Sequence, residues 1–80
     1  MKIKIGIIGL GYVGLPLACL FSKKYSVVGY DISQKRIDEL ILGIDSTLEV
    51  DTKTLKNLLI KNYNDNQKGL FITKDEKYLK

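Results

Sequence analysis

The feature that most constrains this chain is a short glycine-rich run between a β-branched stretch and an apolar helical pattern. Residues 9–14 (GLGYVG) match the pattern G-x-G-x-x-G. In this pattern the first glycine makes the turn off a strand, the second lets a pyrophosphate approach the backbone, and the third allows close packing of helix on strand. The phosphates then meet unpaired N–H groups at the positive end of a helix dipole. The alternative is an ordinary strand-to-helix turn, and the predicted structure of the flanking residues distinguishes the two.

The flanking elements are those of a βαβ unit. Residues 2–8 (KIKIGII) predict a strand that becomes more buried towards its carboxyl end. Residues 12–24 predict a helix, with Pro16 tolerated in its first turn. The apolar stripe expected on this helix is Val13, Leu17, Leu20 and Phe21. Residues 26–30 (SVVGY) predict a second strand, which completes the unit.

Two further helices are expected in the middle of the chain. Ser33 is a suitable N-cap for the first of them, and Gly43 suits its left-handed terminus. The buried residues expected on that helix are Ile37, Leu40 and Ile41. Asp51 or Thr52 is expected to cap the second. The apolar residues of that helix are Leu55, Leu58 and Leu59.

The predicted fold class is α/β, a Rossmann-type doubly wound parallel sheet. Residues 70–73 (LFIT) predict its third strand, and residues 74–80 predict the first turn of another helix. The element order is then β-α-β-α-α-β, and the fourth strand that normally lies beside the first is absent. We therefore expect a truncated domain with an apolar sheet edge and uncovered helix faces, which favours self-association or low stability.

The second element of the nucleotide-site pattern is Asp31, at the end of the second predicted strand. It follows Gly11 by about 20 positions, the spacing of a carboxylate that accepts hydrogen bonds from the adenosine ribose hydroxyls. An acidic group there would repel a 2′-phosphate, so NAD is favoured over NADP. A turn residue flanking a helix is the alternative. The predicted strand, loop, helix and acidic residue all stand at the spacing of a dinucleotide site, however, and this favours the binding interpretation.

Composition excludes several other classes. The chain has no histidine and one cysteine, which argues against an imidazole base, the usual zinc cluster and an internal disulfide framework. Cys19 is expected to be a small buried thiol of the first helix. The net charge of +4 comes from scattered lysines without an arginine patch, so no nucleic-acid partner is expected. The apolar stretches are far shorter than the ~18 residues that cross a bilayer, and we expect no membrane partner and a cytoplasmic location.

The residues around the glycine pattern resemble a known family. Residues 5–18 (IGIIGLGYVGLPLA), with Gly29-Tyr30-Asp31 and Arg36-Ile37, closely resemble the amino terminus of the UDP-glucose/GDP-mannose dehydrogenase family. The GYVGLP version is more specific than the general glycine pattern. Residues 43–50 look like the subgroup that acts on UDP-N-acetylhexosamines more than the UDP-glucose subgroup. The resemblance covers the whole chain, but only about the first fifth of such an enzyme.

The resemblance implies an enzyme that oxidises the C6 alcohol of a UDP-sugar to a carboxylate with two NAD per turnover. The residues that would bind the cofactor are Gly9, Leu10, Gly11, Tyr12, Val13, Gly14, Asp31 and Arg36. The first six would cradle the pyrophosphate, Asp31 would hold the adenosine ribose, and Arg36 would lie beside the ribose and adenine. A solvated helix face is the alternative for Arg36.

The resemblance also implies that the catalytic cysteine, lysine and asparagine and the sugar-binding domain lie beyond residue 80. Residues 1–80 would then be a partial NAD-binding domain, the amino-terminal fragment of a larger, homo-oligomeric enzyme. It would have no catalytic residue, no metal site and no turnover alone, and would meet UDP-sugar only in the full-length enzyme. The alternative is a short non-catalytic module that binds a nucleotide or a partner. Two further questions stay open: whether Tyr12 and Tyr30 contact the cofactor, and whether Asp45, Thr47 and Glu49 face an active site or form a turn.

Overall fold

Three parallel strands form a single sheet in the computed structural model, which describes residues 3–79. The strands are β1 (Lys4–Ile8), β2 (Ser26–Tyr30) and β3 (Gly69–Thr73). β2 lies between the other two, with Val27 opposite both Ile5 of β1 and Leu70 of β3. The predicted Rossmann-type arrangement of parallel strands is therefore confirmed.

The helices connect the strands, and the second and third begin at caps that the sequence indicates. They are α1 (Gly14–Ser22), α2 (Gln34–Ile41) and α3 (Thr52–Leu58), and a 3-10 helix (Glu76–Leu79) stands where a first helical turn is predicted. The Ser33 hydroxyl accepts a hydrogen bond from the backbone N–H of Arg36 at 3.2 Å. Asp51, rather than Thr52, caps α3. Gly43 ends α2 with a φ of +82°, a conformation that glycine adopts without a steric cost.

The core lies on one face of the sheet, where α1, α2 and α3 pack. It is formed by apolar side chains from every strand and every α-helix, among them Leu15, Ala18, Val27, Leu40, Leu55 and Leu70. A smaller aromatic layer covers part of the other face. There the rings of Phe71 and Tyr78 lie 4.9 Å apart, and Tyr63 packs against both. No helix among residues 3–79 is long and apolar enough to cross a bilayer.

The buried stripe predicted for α1 is wrong. Val13 is 79% exposed, Leu17 39% and Leu20 60%, whereas the buried residues of α1 are Leu15, Ala18, Cys19 and Ser22. The helix is apolar on nearly all sides, so hydrophobic periodicity does not distinguish one face. The turn at the glycine loop decides which side meets the sheet. On α2, Ile37 and Leu40 are buried as predicted, but Ile41 is 56% exposed.

The predicted increase of burial along the first strand is also wrong. Exposure alternates along β1, and its last residue, Ile8, is 74% exposed. β1 pairs only with β2 among the described residues, so it is an edge strand of this sheet. Its second face has no packed layer over Ile8. A β-branched run therefore identifies the strand but not its place in the sheet.

We expect the chain to self-associate through the uncovered face of α1 and the free edge of β1, because exposed apolar surface and unpaired strand edges favour association. Leu20→Glu places a charge on that face and is expected to lower the association constant. Leu48→Glu is the matched control, since Leu48 is 89% exposed and lies outside α1. Sedimentation velocity at increasing concentration measures the effect. A monodisperse wild-type monomer with a cooperative melt would contradict the expectation.

Candidate functional site

The glycine loop leaves the carboxyl end of β1 and turns into α1. Gly9 has a φ of +90°, in the left-handed region that favours glycine. Its backbone N–H donates to the carbonyl oxygen of Tyr30 at 2.8 Å, so the turn is attached to the end of β2. The first glycine of the pattern therefore makes the turn off the strand, in the position that the sequence predicts.

The other two glycines of the loop differ in what surrounds them. A Cβ atom at Gly14 would overlap the backbone carbonyl of Gly9, so only glycine allows the loop and helix to pack this closely. A Cβ at Gly11 would meet no atom within 4 Å. Gly14 thus serves internal packing, whereas Gly11 borders open space that a ligand can enter.

The amino terminus of α1 has free hydrogen-bond donors. Val13 occupies the N-cap position without a side-chain cap, and the first turn contains no acidic residue. The backbone N–H groups of residues 11–13 donate to no acceptor among residues 3–79. Unpaired donors at the positive end of a helix attract an anion, and phosphates bind readily at such termini.

Both backbone polar groups of Leu10 form hydrogen bonds with charged side chains. Its N–H donates to Oδ2 of Asp31 at 2.9 Å, and its carbonyl oxygen accepts a hydrogen bond from Nε of Arg36 at 2.6 Å. The side chain of Leu10 is fully buried in the core. Only the backbone of this residue can therefore face a ligand, and its position is fixed by two oppositely charged groups.

Asp31 lies at the carboxyl end of β2, beside the loop, as its spacing predicts. Its Oδ1 atom accepts a hydrogen bond from the backbone N–H of Ser33 at 2.9 Å, while Oδ2 accepts from Leu10. Asp31 is half-buried, and each carboxylate oxygen has a further lone pair for another donor. The carboxylate thus orients the loop and can still accept hydrogen bonds from hydroxyl groups of a ligand.

Arg36 is buried rather than placed on a solvated helix face, with 9% of its surface exposed. In addition to Leu10, its guanidinium binds Asp45 through Nη1 at 2.9 Å and Glu39 at 3.4 Å. The Nη2 atom is buried without a hydrogen-bond partner among the described residues. Arg36 therefore lies directly behind the loop, in contact with the backbone that would face a phosphate.

Asp45 is the residue for which the sequence left two interpretations open, an active-site group or a turn. Its fully buried carboxylate accepts hydrogen bonds from the N–H and hydroxyl of Thr47, from the N–H groups of Glu49 and Val50, and from Arg36. Burial raises the pKa of Asp45, but these hydrogen bonds outweigh burial and lower the pKa to about 2. The turn interpretation thus accounts for Asp45 and Thr47. The Asp-x-Thr spacing is the signal for such a turn.

The remaining candidate residues have simpler environments. Cys19 is 5% exposed, and burial, followed by the charge of Asp45, raises the pKa of its thiol to about 11. It is the small buried thiol that the sequence predicts, and its raised pKa keeps it protonated at neutral pH. Tyr12 is 69% exposed next to the loop, and Tyr30 is half-buried. No cluster of His, Cys, Asp and Glu among residues 3–79 is arranged to hold a metal ion.

Comparison with known proteins assigns this arrangement to a family. Residues 3–78 match the family model described as the NAD binding domain of the UDP-glucose/GDP-mannose dehydrogenase family. The chain is 65% identical over 54 residues to UDP-N-acetyl-D-glucosamine 6-dehydrogenase of Pseudomonas aeruginosa, covering 68% of this chain and 13% of that protein. It is 45% identical over 75 residues to Protein CapL of Staphylococcus aureus, with coverages of 90% and 18%.

A solved structure shows the same fold. The UDP-D-ManNAc dehydrogenase of Pyrococcus horikoshii superposes with a TM-score of 0.76 and 34% sequence identity. The alignment covers 98% of this chain and 18% of that one. The chain thus spans between 13% and 18% of the length of these relatives.

Gly14→Ala is expected to lower the free energy of unfolding by about 2 kcal/mol or more, because the added Cβ collides with backbone that cannot rotate away. Gly11→Ala is the matched control: its Cβ enters open space, and its effect on stability is expected to be small. Urea unfolding of the two variants measures the difference. Equal destabilisation by both substitutions would contradict the packing role of Gly14.

The buried carboxylate of Asp45 predicts a pH dependence of stability. Its pKa falls from 3.8 to about 2 on folding, so its contribution is complete above pH 5 and is lost as the pH falls towards 2. Asp45→Asn is expected to lower the free energy of unfolding by about 2 kcal/mol at pH 7. The difference from wild type should narrow between about pH 5 and pH 2. Urea unfolding at several pH values tests this, and a difference independent of pH would refute it.

Proposed function

Since the chain belongs to the UDP-glucose/GDP-mannose dehydrogenase family, we propose that it forms the NAD-binding part of a nucleotide-sugar 6-dehydrogenase. The observation that carries this proposal is the loop at the amino terminus of α1. Its unpaired N–H groups border open space at Gly11, and Asp31 stands at the end of the neighbouring strand. These are the donors and the acceptor that the pyrophosphate and ribose of a dinucleotide require.

The cofactor contacts follow from the position of each residue. The N–H groups of residues 11–13 would bind the pyrophosphate, and Gly9, Gly14 and the bonded backbone of Leu10 would shape the turn that presents them. Asp31 would accept hydrogen bonds from the adenosine ribose, and its charge disfavours a 2′-phosphate. Arg36 donates to the Leu10 carbonyl, and the family resemblance implies that it would lie beside the ribose and adenine. The residues present therefore fit NAD.

For the substrate we propose a UDP-N-acetylhexosamine, with UDP-glucose as the alternative. Two of the relatives are named for N-acetylhexosamine substrates, UDP-N-acetyl-D-glucosamine and UDP-D-ManNAc. The overall reaction would convert the C6 alcohol to the uronic acid with two NAD, each of which accepts a hydride when bound. Cys19 is not suited to act as the nucleophile, since it is buried and burial raises the pKa of its thiol to about 11. The catalytic groups would lie outside this chain, and the chain alone is expected to be inactive.

We expect the wild-type chain to bind NAD more tightly than NADP and Asp31→Asn to narrow that preference, because the substitution removes the charge that repels the 2′-phosphate. Asp38→Asn is the matched control, an exposed carboxylate of α2 that contacts Gln34. Affinities in the millimolar range can be measured by NMR titration of a 9.1 kDa chain. An unchanged NAD-to-NADP ratio would argue against the role of Asp31.

The substrate is tested with the full-length protein that contains this domain. UDP-N-acetylglucosamine, UDP-N-acetylgalactosamine, UDP-N-acetylmannosamine and UDP-glucose are each incubated with NAD. We expect NADH and sugar carboxylate in a ratio of two to one with one of the N-acetylhexosamines. Oxidation of UDP-glucose alone would assign the alternative substrate. No oxidation of any UDP-sugar would favour the non-catalytic module.

A further inference from the structure

We propose that Asp45 is a positioning residue of the dinucleotide loop, which acts through Arg36 on the carbonyl of Leu10 and so directs the N–H of Gly11 towards the ligand. This inference rests on the proposed function of the loop and extends it to a residue outside the glycine pattern. Asp45 lies in the connection between α2 and α3, and its hydrogen bonds go to Arg36, Thr47, Glu49 and Val50 rather than to residues 9–14.

The first step is the ion pair between Asp45 and Arg36. Oδ1 of Asp45 lies 2.9 Å from Nη1 of Arg36, and the Asp45 side chain has no exposed surface. The guanidinium is planar and rigid, so a bond that fixes Nη1 also limits the direction of the Nε–H. Glu39 is the other anion near Nη1, but it is more distant, at 3.4 Å, and more exposed. Asp45 is therefore the group that sets the plane of this guanidinium.

The second step is the hydrogen bond from Arg36 to the loop. Nε of Arg36 donates to the Leu10 carbonyl oxygen at 2.6 Å, and charge-assisted hydrogen bonds of this kind are strong. In a trans peptide the carbonyl of one residue and the N–H of the next point in opposite directions. Holding the Leu10 carbonyl against Arg36 therefore turns the Gly11 N–H away from Arg36. At Gly11 the space for a side chain is open.

The third step is the set of hydrogen bonds that Asp45 accepts within residues 45–50. Its Oδ2 atom accepts from the backbone N–H groups of Glu49 and Val50 at 2.9 Å each, while Oδ1 accepts from Thr47. The carboxylate cannot turn away from Arg36 without breaking several of these bonds. The connection at residues 45–50 thus holds Asp45 in place, and Asp45 transmits that rigidity to the dinucleotide loop.

The test compares Asp45→Asn with Asp51→Asn in the 80-residue chain. Asp51 also accepts hydrogen bonds from the N–H and hydroxyl of a threonine, Thr54, but it is exposed and forms no ion pair with Arg36. NMR titration gives the affinity of each variant for NAD and for adenosine, which lacks the pyrophosphate. We expect Asp45→Asn to weaken NAD binding at least about fivefold and adenosine binding by a smaller factor, because adenosine makes no pyrophosphate contact with the Gly11 N–H. Asp51→Asn should leave both affinities unchanged.

A second readout does not need the ligand. Proton exchange of the Arg36 Nε–H and of the Leu10 N–H is expected to accelerate in Asp45→Asn more than exchange of the Val28 N–H at the centre of the sheet. Equal acceleration at all three sites would show general destabilisation and overturn the inference. Equal weakening of NAD and adenosine would do the same.

The two readouts separate this inference from the proposed function. If the wild-type chain binds no NAD, the proposed function fails, and the exchange rates still decide the role of Asp45. If Asp45→Asn does not fold, Arg36→Lys is measured instead. Lysine keeps the positive charge beside Asp45 but has no Nε–H group that can donate to the Leu10 carbonyl. That variant should weaken NAD binding by a larger factor than adenosine binding, and retention of wild-type NAD affinity would overturn the inference.

Discussion

The site depends on the backbone of Leu10, which is held between a carboxylate and a guanidinium. Asp31 accepts the N–H of Leu10, Arg36 donates to its carbonyl, and the Leu10 side chain is buried in the core. Backbone N–H and carbonyl groups of a surface loop normally form hydrogen bonds with water. Here both are bonded to charged side chains from α2 and the end of β2, so the protein's own contacts set the direction of the Leu10 peptide groups.

This arrangement also explains why the charged groups are retained in the interior. Arg36 and Asp45 are mostly withdrawn from water, which is costly for isolated charges. They are paired with each other and bonded to backbone groups on both sides, which compensates much of that cost. The same pair connects three segments that are distant in sequence: the glycine loop, α2, and the connection at residues 45–50. One set of charged hydrogen bonds therefore links all three segments.

Short sequence patterns predicted the helices and strands well, but they predicted poorly which residues of those elements are buried. Ser33, Gly43 and Asp51 act through neighbours within a few residues, and their roles as caps were confirmed. The burial of α1 and β1 was predicted wrongly because it depends on which side of each element meets another layer. In a helix that is apolar on nearly every side, the local sequence does not show which side packs against the sheet. At the site, the position of Asp31 beside the loop followed from spacing, whereas the burial of Arg36 did not.

The sequence by itself determined the fold class, the caps, the glycine turn and the place of Asp31, because each depends on residue type at short spacing. The family followed from the residues around that turn, and comparison with known proteins confirmed it. Only the tertiary structure decided that Arg36 binds the Leu10 carbonyl, that Asp45 holds Arg36, and that Leu15 rather than Leu17 faces the core. These contacts join residues from different elements. Their existence depends on the packing of α1 and α2 against the sheet, which no single segment specifies.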